Sequence, residues 1–409
     1  MNPLPLQAFS AFGIELEYML VDRTSLDVRP IADSVLAQAG EPDASSLIEC
    51  SNELVAHVIE IKNPLPGPLH NLAAAFQNKV HALNRQLAAD DACMMPTAMH
   101  PWMDPTREAV LWPHDEQAIY ATFNQLFDCK RHPWANVQSM HVNLPFADDR
   151  QFEKLFTAVR LLLPILPAIA ASSPLTDGGW SGFMDYRMHV YPDQSPAVPA
   201  IVGAVVPDVV RSRAEHEACV LAPMYADIEA LDPRHKLRYE WLNSRGAIPR
   251  FDRHAIEIRV MDTQECPQAD VALAALVVDL AQLLYQGEFA RMDAQQALPT
   301  PVLSQILAAC TRDAEQALIN DAQYLSVLGF PGRSCTAQTL WTHLGNTLQQ
   351  HQALHSILWQ SHLKVILEHG PLARRILRAL NGNFSRSGMH ALYRRLSAGL
   401  QQGVHFVDY

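Results

Sequence analysis

Apolar and polar residues alternate strictly near the start of the chain, over residues 13–21 (GIELEYMLV). A period of two residues is typical of a β-strand, whose successive side chains point to opposite faces. In such a strand Glu15 and Glu17 share one face, opposite the apolar residues that enter the core. The pattern therefore predicts a strand with two carboxylates on one side, which either face water or converge on a cation.

Two later stretches repeat this pattern. Residues 138–146 (QSMHVNLPF) place His141 and Asn143 on one face, and residues 255–261 (AIEIRVM) do the same for Glu257 and Arg259. A single histidine on a strand is most often only hydrogen-bonded, although neutral imidazole is also a good metal ligand. Both stretches are predicted to be strands whose apolar side chains enter the core.

Two further glutamates, Glu53 and Glu60, bracket a largely apolar segment (ELVAHVIEI, residues 53–61). Their separation fits one face of a helix, and it equally fits separate turns of an irregular strand entry. A solvent-facing pair is a third interpretation, because single glutamates are usually exposed. Geometry alone leaves these alternatives open.

Helical periodicity predicts amphipathic or buried helices at residues 69–89 and 151–171. Between the second of these helices and the third strand, a turn-rich segment at 171–191 predicts a loop and then a short strand. Asp185, Arg187 and His189 would share one face of that strand. The chain after Pro267 is predicted to form successive helices, at 268–290, 301–328, 336–368 and 371–400, with GRSC and LNGNFSRSG as loops.

The chain has 409 residues, of which 49% are hydrophobic and 18% charged, so it can bury a large core. We predict one catalytic domain over residues 1–409, with a sheet-bearing part at about 10–290 and a helical part at about 291–409. Acidic residues outnumber basic ones 43 to 31, giving a net charge of -12. This balance argues against nucleic acid or an anionic membrane as a partner.

The seven cysteines are scattered and form neither a CxxC pair nor a zinc-like cluster, which indicates a reducing cytoplasm. The N-terminal MNPLPLQAFSAF lacks the basic and apolar regions of a secretory signal. The most apolar helix candidates are interrupted by charged residues or prolines, so they are predicted to be buried helices and not membrane spans. A homo-oligomer is compatible with these features.

Four arginines lie on or shortly before the third strand, at positions 245, 250, 253 and 259. In an acidic protein such a concentration indicates either an anion site or a set of surface salt bridges. Three strands that each carry polar groups on one face favour the first interpretation. Carboxylates, an imidazole and nearby arginines suit a nucleotide with Mg²⁺ or Mn²⁺, and the absence of clustered cysteines disfavours zinc.

Six segments of the sequence resemble the bacterial glutamate-cysteine ligase type 2, or carboxylate-amine ligase, family, which is related to glutamine synthetase. They occur in the family's order, most clearly over residues 10–290: GIELE, ELVAHVIEIKNP, AMHPW, QSMHVN, ASSP and EIRVMDT. The resemblance implies an α+β fold in which helices pack outside a curved antiparallel sheet. It also implies ATP-dependent amide formation between a small-molecule carboxylate and an amine, with glutamate and cysteine as the default pair.

The resemblance extends to individual residues. It implies cation ligands at six positions: Glu15, Glu17, Glu53, Glu60, His141 and Glu257. We expect one ion to be shared by Glu15, His141 and Glu257, and another by the remaining three. Arg259, together with Arg245 or Arg250, is expected to contact the ATP phosphates, and Arg187 to face the substrate or a phosphate.

Two other classes of protein stay open. A phosphotransferase of the guanidino-kinase type would use the same cations and arginines but would stop at a phosphorylated product. A non-catalytic nucleotide- or metabolite-binding protein is the other class. All six candidate ligands are present in this chain, and this disfavours the non-catalytic class.

Overall fold

The computed structural model describes residues 5–39, 46–115 and 117–407; residues 1–4, the beginning of the N-terminal stretch considered above, lie outside the described residues. Eleven strands occur in this part of the chain. They are β1 Gly13–Asp22, β2 Glu49–Asn52, β3 Val58–Lys62, β4 Ala92–Met95, β5 Ser139–Pro145, β6 Leu175–Thr176, β7 Gly179–Trp180, β8 Ala247–Arg250, β9 Ala255–Asp262, β10 Leu318–Ile319 and β11 Cys335–Thr336.

Seven of these strands form one antiparallel sheet with the order β2-β3-β1-β5-β9-β8, and β4 pairs with the second half of β1. The remaining four strands form two small ribbons, β6-β7 and β10-β11. The three predicted strands are thus confirmed as β1, β5 and β9, and they are direct neighbours at the centre of the sheet. This adjacency brings together side chains that are far apart in the sequence.

Helices make up most of the remaining chain. The α-helices are α1 Ala32–Ala39, α2 Leu72–Leu87, α3 Pro105–Glu108, α4 Gln117–Phe127, α5 His132–Ala135, α6 Asp149–Leu162, α7 Pro167–Ala170, α8 Tyr186–Val190, α9 Arg213–His216, α10 Ala222–Ile228, α11 Pro267–Gln286, α12 Met292–Gln296, α13 Thr300–Asp313, α14 Ala322–Val327, α15 Ala337–Gln350, α16 Ser356–His369, α17 Leu372–Leu380 and α18 Arg386–Gln402. Short 3₁₀ segments lie at Leu69–Asn71, Ala88–Asp90, Leu163–Ile165, Tyr191–Gln194, Pro199–Ile201, Glu240–Leu242 and Ala314–Gln316, and Glu217–Leu221 is a π-helix.

One face of the large sheet belongs to the hydrophobic core. Ile14, Leu16, Val142 and Ile258 are completely buried there, in the core cluster that α2, α6 and α11 also enter. The apolar positions of each strand therefore lie under helices, and the polar positions come out on the opposite face. The predicted α+β architecture, an antiparallel sheet with helices packed outside it and a largely helical C-terminal part, is confirmed.

Helix α11 is long and apolar enough to cross a membrane, but 83% of its most apolar stretch is buried inside the protein. Its one charged residue in the middle, Asp279, accepts hydrogen bonds from the Trp359 indole at 2.8 Å and from the His355 backbone N–H at 3.1 Å. His355 directly precedes α16 and Trp359 belongs to it, and α16 packs along α11. The prediction of a buried helix is confirmed.

Some predicted elements were wrong. The short strand expected at Asp185, Arg187 and His189 is the helix α8, because the Asp185 carboxylate caps it by accepting the Met188 backbone N–H at 2.8 Å. Two of the four predicted C-terminal helices, 301–328 and 336–368, are each divided in two, whereas the break between α17 and α18 lies in the loop predicted from LNGNFSRSG. Left-handed backbone at Ala314, Gln352 and Asn381 marks these breaks, because an α-helix cannot continue through a positive φ.

Candidate functional site

Three neighbouring strands place Glu15, His141 and Glu257 together on the polar face of the sheet. Glu15 lies directly opposite His141 across β1 and β5, and Asn143 lies opposite Glu257 across β5 and β9. One oxygen or nitrogen atom from each of the three side chains lies within 4.8 Å of the others. The spacing fits the ligand shell of a single cation.

Hydrogen bonds hold this triad in place. His141 Nδ1 donates to Glu15 Oε2 at 3.0 Å, and Asn143 donates to the other Glu15 oxygen at 3.1 Å. On the other side of the ring, His141 Nε2 lies 2.9 Å from Ser139 Oγ, whose hydroxyl donates to Glu17. Burial raises the pKa of Glu15, but the hydrogen bond and charge of His141 outweigh burial and lower it to about 2.

A second group of carboxylates lies beside the first. Glu60 on β3 faces Glu17 directly across the β1-β3 pair, and Glu53 in the loop after β2 makes a hydrogen bond with Glu60. Burial, together with the charges of Glu17 and Glu60, raises the pKa of Glu53 well above its ordinary value. The Lys62 ammonium lies 2.6 Å from Glu60 and lowers its pKa, but burial and the charges of Glu15 and Glu17 outweigh Lys62, so the pKa of Glu60 is raised as well.

The structure separates the four arginines predicted to form an anion site. Arg259 Nε lies 3.2 Å from Glu257 Oε1, and Arg250 donates to Glu257 Oε2 at 3.4 Å. Both guanidinium groups therefore border the triad. Arg245 instead donates to the Ala200 carbonyl at 3.0 Å and to Asn243, and Arg253 is exposed. In the part of the chain that the structure describes, neither Arg245 nor Arg253 contacts the carboxylates.

Arg187 reaches the site from α8 and is almost completely buried. Its Nε donates to Asp262 at 2.6 Å, and both terminal nitrogens donate to the Arg259 carbonyl at 3.3 Å. A guanidinium has five N–H groups, so this arrangement leaves two for another acceptor. Arg187 also fixes the backbone of the strand that carries Arg259.

A β-bulge explains why Asp262 is available to Arg187. Val142 pairs with Ile258, but Met140 pairs with Met261, so β9 contains one extra residue opposite His141. After the bulge, Asp262 lies opposite Ser139 on the polar face. Uninterrupted alternation from Ile258 would have placed Asp262 in the core.

A cavity of about 110 Å³ adjoins both carboxylate groups. Its polar end contains Glu17, Glu53, His141, Arg187 and Arg259, and its other wall is mostly apolar. That wall consists of Leu54, Val55, Val58, Pro133, Trp134, Val137, Tyr191 and Gln194, with Ser139 between the two parts. The buried Tyr191 hydroxyl has no hydrogen-bond partner among the described residues.

Several residues of the site were not predicted. Lys62 and Ser139 follow the same two-residue period as Glu60 and His141, so strand alternation contained a signal for their position. Asp262 was hidden by the bulge. Trp134 and Tyr191 come from separate short helical segments, and no local pattern in the sequence indicates that they meet at the cavity.

Comparison with known proteins gives a consistent result. A family model described as glutamate-cysteine ligase family 2 matches residues 11–396. An uncharacterized protein of Archaeoglobus fulgidus is 30% identical over 311 residues, which cover 75% of this chain and 80% of that protein. A protein of Ectopseudomonas mendocina named "Putative glutamate--cysteine ligase 2" is 26% identical over 266 residues, 64% of each chain.

Two solved structures are similar in fold. A glutamate–cysteine ligase from Francisella tularensis in complex with AMP has a TM-score of 0.61 at 12% identity, and the match covers 98% of this chain and 90% of that one. A bifunctional glutathione synthetase from Pasteurella multocida has a TM-score of 0.54 at 13% identity, with 96% and 51% covered. At these identities the similarity concerns the fold.

Proposed function

This chain belongs to glutamate-cysteine ligase family 2, and from that premise we propose that it joins a small carboxylate to an amine at the expense of ATP. The amide would form through an acyl phosphate. An amino acid such as glutamate is the proposed carboxylate substrate, and an amine such as that of cysteine is the proposed acceptor. The names of the similar proteins, and the AMP in complex with one of them, support this proposal.

The observation that carries the proposal is that two clusters of acidic side chains lie next to each other on one face of the sheet. Burial first, and the charges of neighbouring carboxylates second, raise the pKa values of Glu53 and Glu60, and carboxylate oxygens are the ligands that Mg²⁺ and Mn²⁺ prefer. The side chains therefore fit divalent cations: Glu15, His141 and Glu257 would hold one, and Glu17, Glu53 and Glu60 another. Such ions would neutralise phosphate charge and polarise the γ-phosphoryl group.

The arginines beside Glu257 supply positive charge at the same place. Burial lowers the pKa of Arg259, but Tyr191 and Glu257 outweigh burial and raise it, so this side chain stays charged. Arg259 and Arg250 would stabilise the negative charge that develops as the γ-phosphoryl group moves to the substrate carboxylate. Arg245, which contacts Ala200 and Asn243, is not part of this mechanism.

Arg187 is placed to orient the substrate carboxylate, because it lines the cavity and keeps two N–H groups available. The carboxylate oxygen would attack the γ-phosphorus of ATP and release ADP. The amine nitrogen would then attack the acyl carbon and lose a proton. The bond between that carbon and the phosphate oxygen would break, and inorganic phosphate would leave. No covalent intermediate with the protein is needed, so the cysteines have no role in this reaction.

Product analysis tests the proposal. Amino acids and amines would be screened in pairs for stimulated release of ADP in the presence of Mg²⁺. The expected result is release of free phosphate and an amide product only when both a carboxylate and an amine are present. A stable phosphorylated product formed without an amine would instead identify a phosphotransferase.

A substitution locates the activity in the proposed site. Glu257→Gln keeps the size of the side chain but removes the charge, so ATP turnover should fall at least about 100-fold, and a melting curve of the variant shows whether it is folded at the assay temperature. Glu15→Gln should behave in the same way. Glu229→Gln, on an exposed part of the surface, is the matched control. Turnover retained in both site variants would refute the metal assignment.

A further inference from the structure

A second and larger cavity, of about 430 Å³, opens between the turn after β1, the end of α2 and helix α18. Among the described residues, none lines both this cavity and the one beside the carboxylates. Its volume falls in the range of small-molecule pockets. We call it the arginine cavity, after the three arginines in its lining: Arg23, Arg85 and Arg394.

The three arginines come from different elements, and no carboxylate among the described residues forms an ion pair with them. None of their guanidinium groups makes a hydrogen bond or ion pair within residues 5–39, 46–115 and 117–407. Asp22, the residue before Arg23, is already engaged by Arg29 at 3.2 Å and by the backbone N–H groups of Thr24 and Ser25. All three arginines are exposed, so water solvates their charges where they border the cavity.

The rest of the lining adds an apolar floor and the buried hydroxyl of one serine. Leu26, Ala88 and Ala398 contribute the apolar surface. The Ser397 hydroxyl oxygen is buried and has no hydrogen-bond partner among the described residues.

Two amide side chains hold the floor of the cavity in place. Asn84 on α2 donates to the Gln401 side chain on α18 at 2.9 Å. The Asn84 oxygen accepts the Met94 backbone N–H of β4 at 2.9 Å. The cavity is therefore built by three elements that are tied to one another, and its shape does not depend on the arginine side chains alone.

We propose that the arginine cavity binds a small organic anion with at least two negative charges and an apolar body, such as an organic phosphate. Guanidinium groups form paired hydrogen bonds with phosphate oxygens, and the apolar floor accommodates the remainder of the molecule. This site is separate from the proposed catalytic centre.

Calorimetric titration with phenyl phosphate tests this site in the full-length protein. The double variant Arg85→Gln/Arg394→Gln should bind phenyl phosphate at least about tenfold more weakly than the wild type, because hydrogen bonds to charged groups contribute that much each. The control is Arg291→Gln/Arg333→Gln, which removes the same charge from exposed positions elsewhere. The control and Glu257→Gln, in the catalytic centre, should both bind as the wild type does.

Other results would overturn the proposal. Absence of phenyl phosphate binding to the wild type, or equal affinity of the cavity variant and the wild type, would show that the cavity is not such a site. An equal loss of affinity for phenyl phosphate in Glu257→Gln would place the binding in the catalytic centre. Titration with inorganic phosphate should give weaker binding than phenyl phosphate, and equal affinity would contradict the role of the apolar floor.

Discussion

Glu17 and Glu60 lie directly opposite each other on neighbouring antiparallel strands. Like charges in this position destabilise a sheet. Glu53, which bonds to Glu60, adds a third carboxyl group to the pair. The protein therefore keeps an electrostatically unfavourable arrangement at the centre of its sheet, which is typical of a functional site and not of a surface that contributes only to folding.

This repulsion predicts that divalent cations stabilise the fold. Because bound cations favour the folded state, Mg²⁺ or Mn²⁺ should raise the melting temperature by a few degrees, and a chelator should reverse the change. Glu60→Gln relieves the repulsion, so without added cation it should melt no lower than the wild type, but it should lose most of the cation response. Glu229→Gln should respond as the wild type does. An unchanged cation response in Glu60→Gln would exclude Glu60 as a ligand.

The glycine that precedes the two opening glutamates has a steric role. A Cβ atom at Gly13 would lie 3.0 Å from Asn143 Cβ, and Asn143 is a hydrogen-bond donor to Glu15. Gly13→Ala should therefore displace Asn143 and lower kcat for ADP release by about tenfold, because small shifts of positioned groups are costly in catalysis. Gly67→Ala, where the nearest atom is 3.9 Å away, is the control and should retain its activity. Equal activity of the two variants would contradict the steric argument.

The buried pair of Arg187 and Asp262 predicts a large loss of stability when one partner is neutralised. Asp262→Asn leaves the Arg187 charge without its counterion, so the free energy of unfolding should fall by at least about 3 kcal/mol in urea denaturation. The exposed pair of Arg213 and Glu217, which is 2.7 Å apart against 2.6 Å for the buried pair, is the comparison. Glu217→Gln should cost less than about 1 kcal/mol. Similar losses in both variants would mean that burial does not determine the strength of the pair.

A second buried pair predicts a dependence of stability on pH. Arg375 lies 2.6 Å from Glu265, and its charge outweighs the effect of burial and holds the pKa of Glu265 well below the ordinary value of 4.5. A carboxyl group whose pKa is lowered by folding stabilises the fold at pH values above its ordinary pKa. This contribution is lost as the pH falls towards the folded-state pKa. Wild type should therefore exceed Glu265→Gln in stability by a constant amount above about pH 5. Below pH 4.5 the difference should narrow by up to about 1.4 kcal/mol per pH unit. Urea midpoints at pH 7, 5 and 3 measure this, and a difference that is unchanged at pH 3 would contradict the assignment.

Much of the sheet could be predicted from the sequence, because strand alternation is a local property. The period of two residues predicts the strand face on which each polar side chain lies in the structure, and this holds for Glu15, Glu17, His141, Asn143 and Glu257. Boundaries of the C-terminal helices were less accurate, because the breaks at Ala314 and Gln352 depend on backbone conformations that these residue types rarely adopt. The roles of the predicted ligands stay predictions until cation binding is measured.

The sequence by itself determined which side chains share a face of each strand, and the resemblance of its motifs identified the family. The tertiary structure alone decided which faces meet: β1, β5 and β9 are neighbours, so Glu15, His141 and Glu257 lie together although more than 200 residues separate the first from the last. It also decided that Arg250 and Arg259 border this group while Arg245 does not, and that a bulge in β9 turns Asp262 towards Arg187. The physical reason is that alternation follows from the local backbone, whereas strand order, register and bulges follow from packing between distant segments.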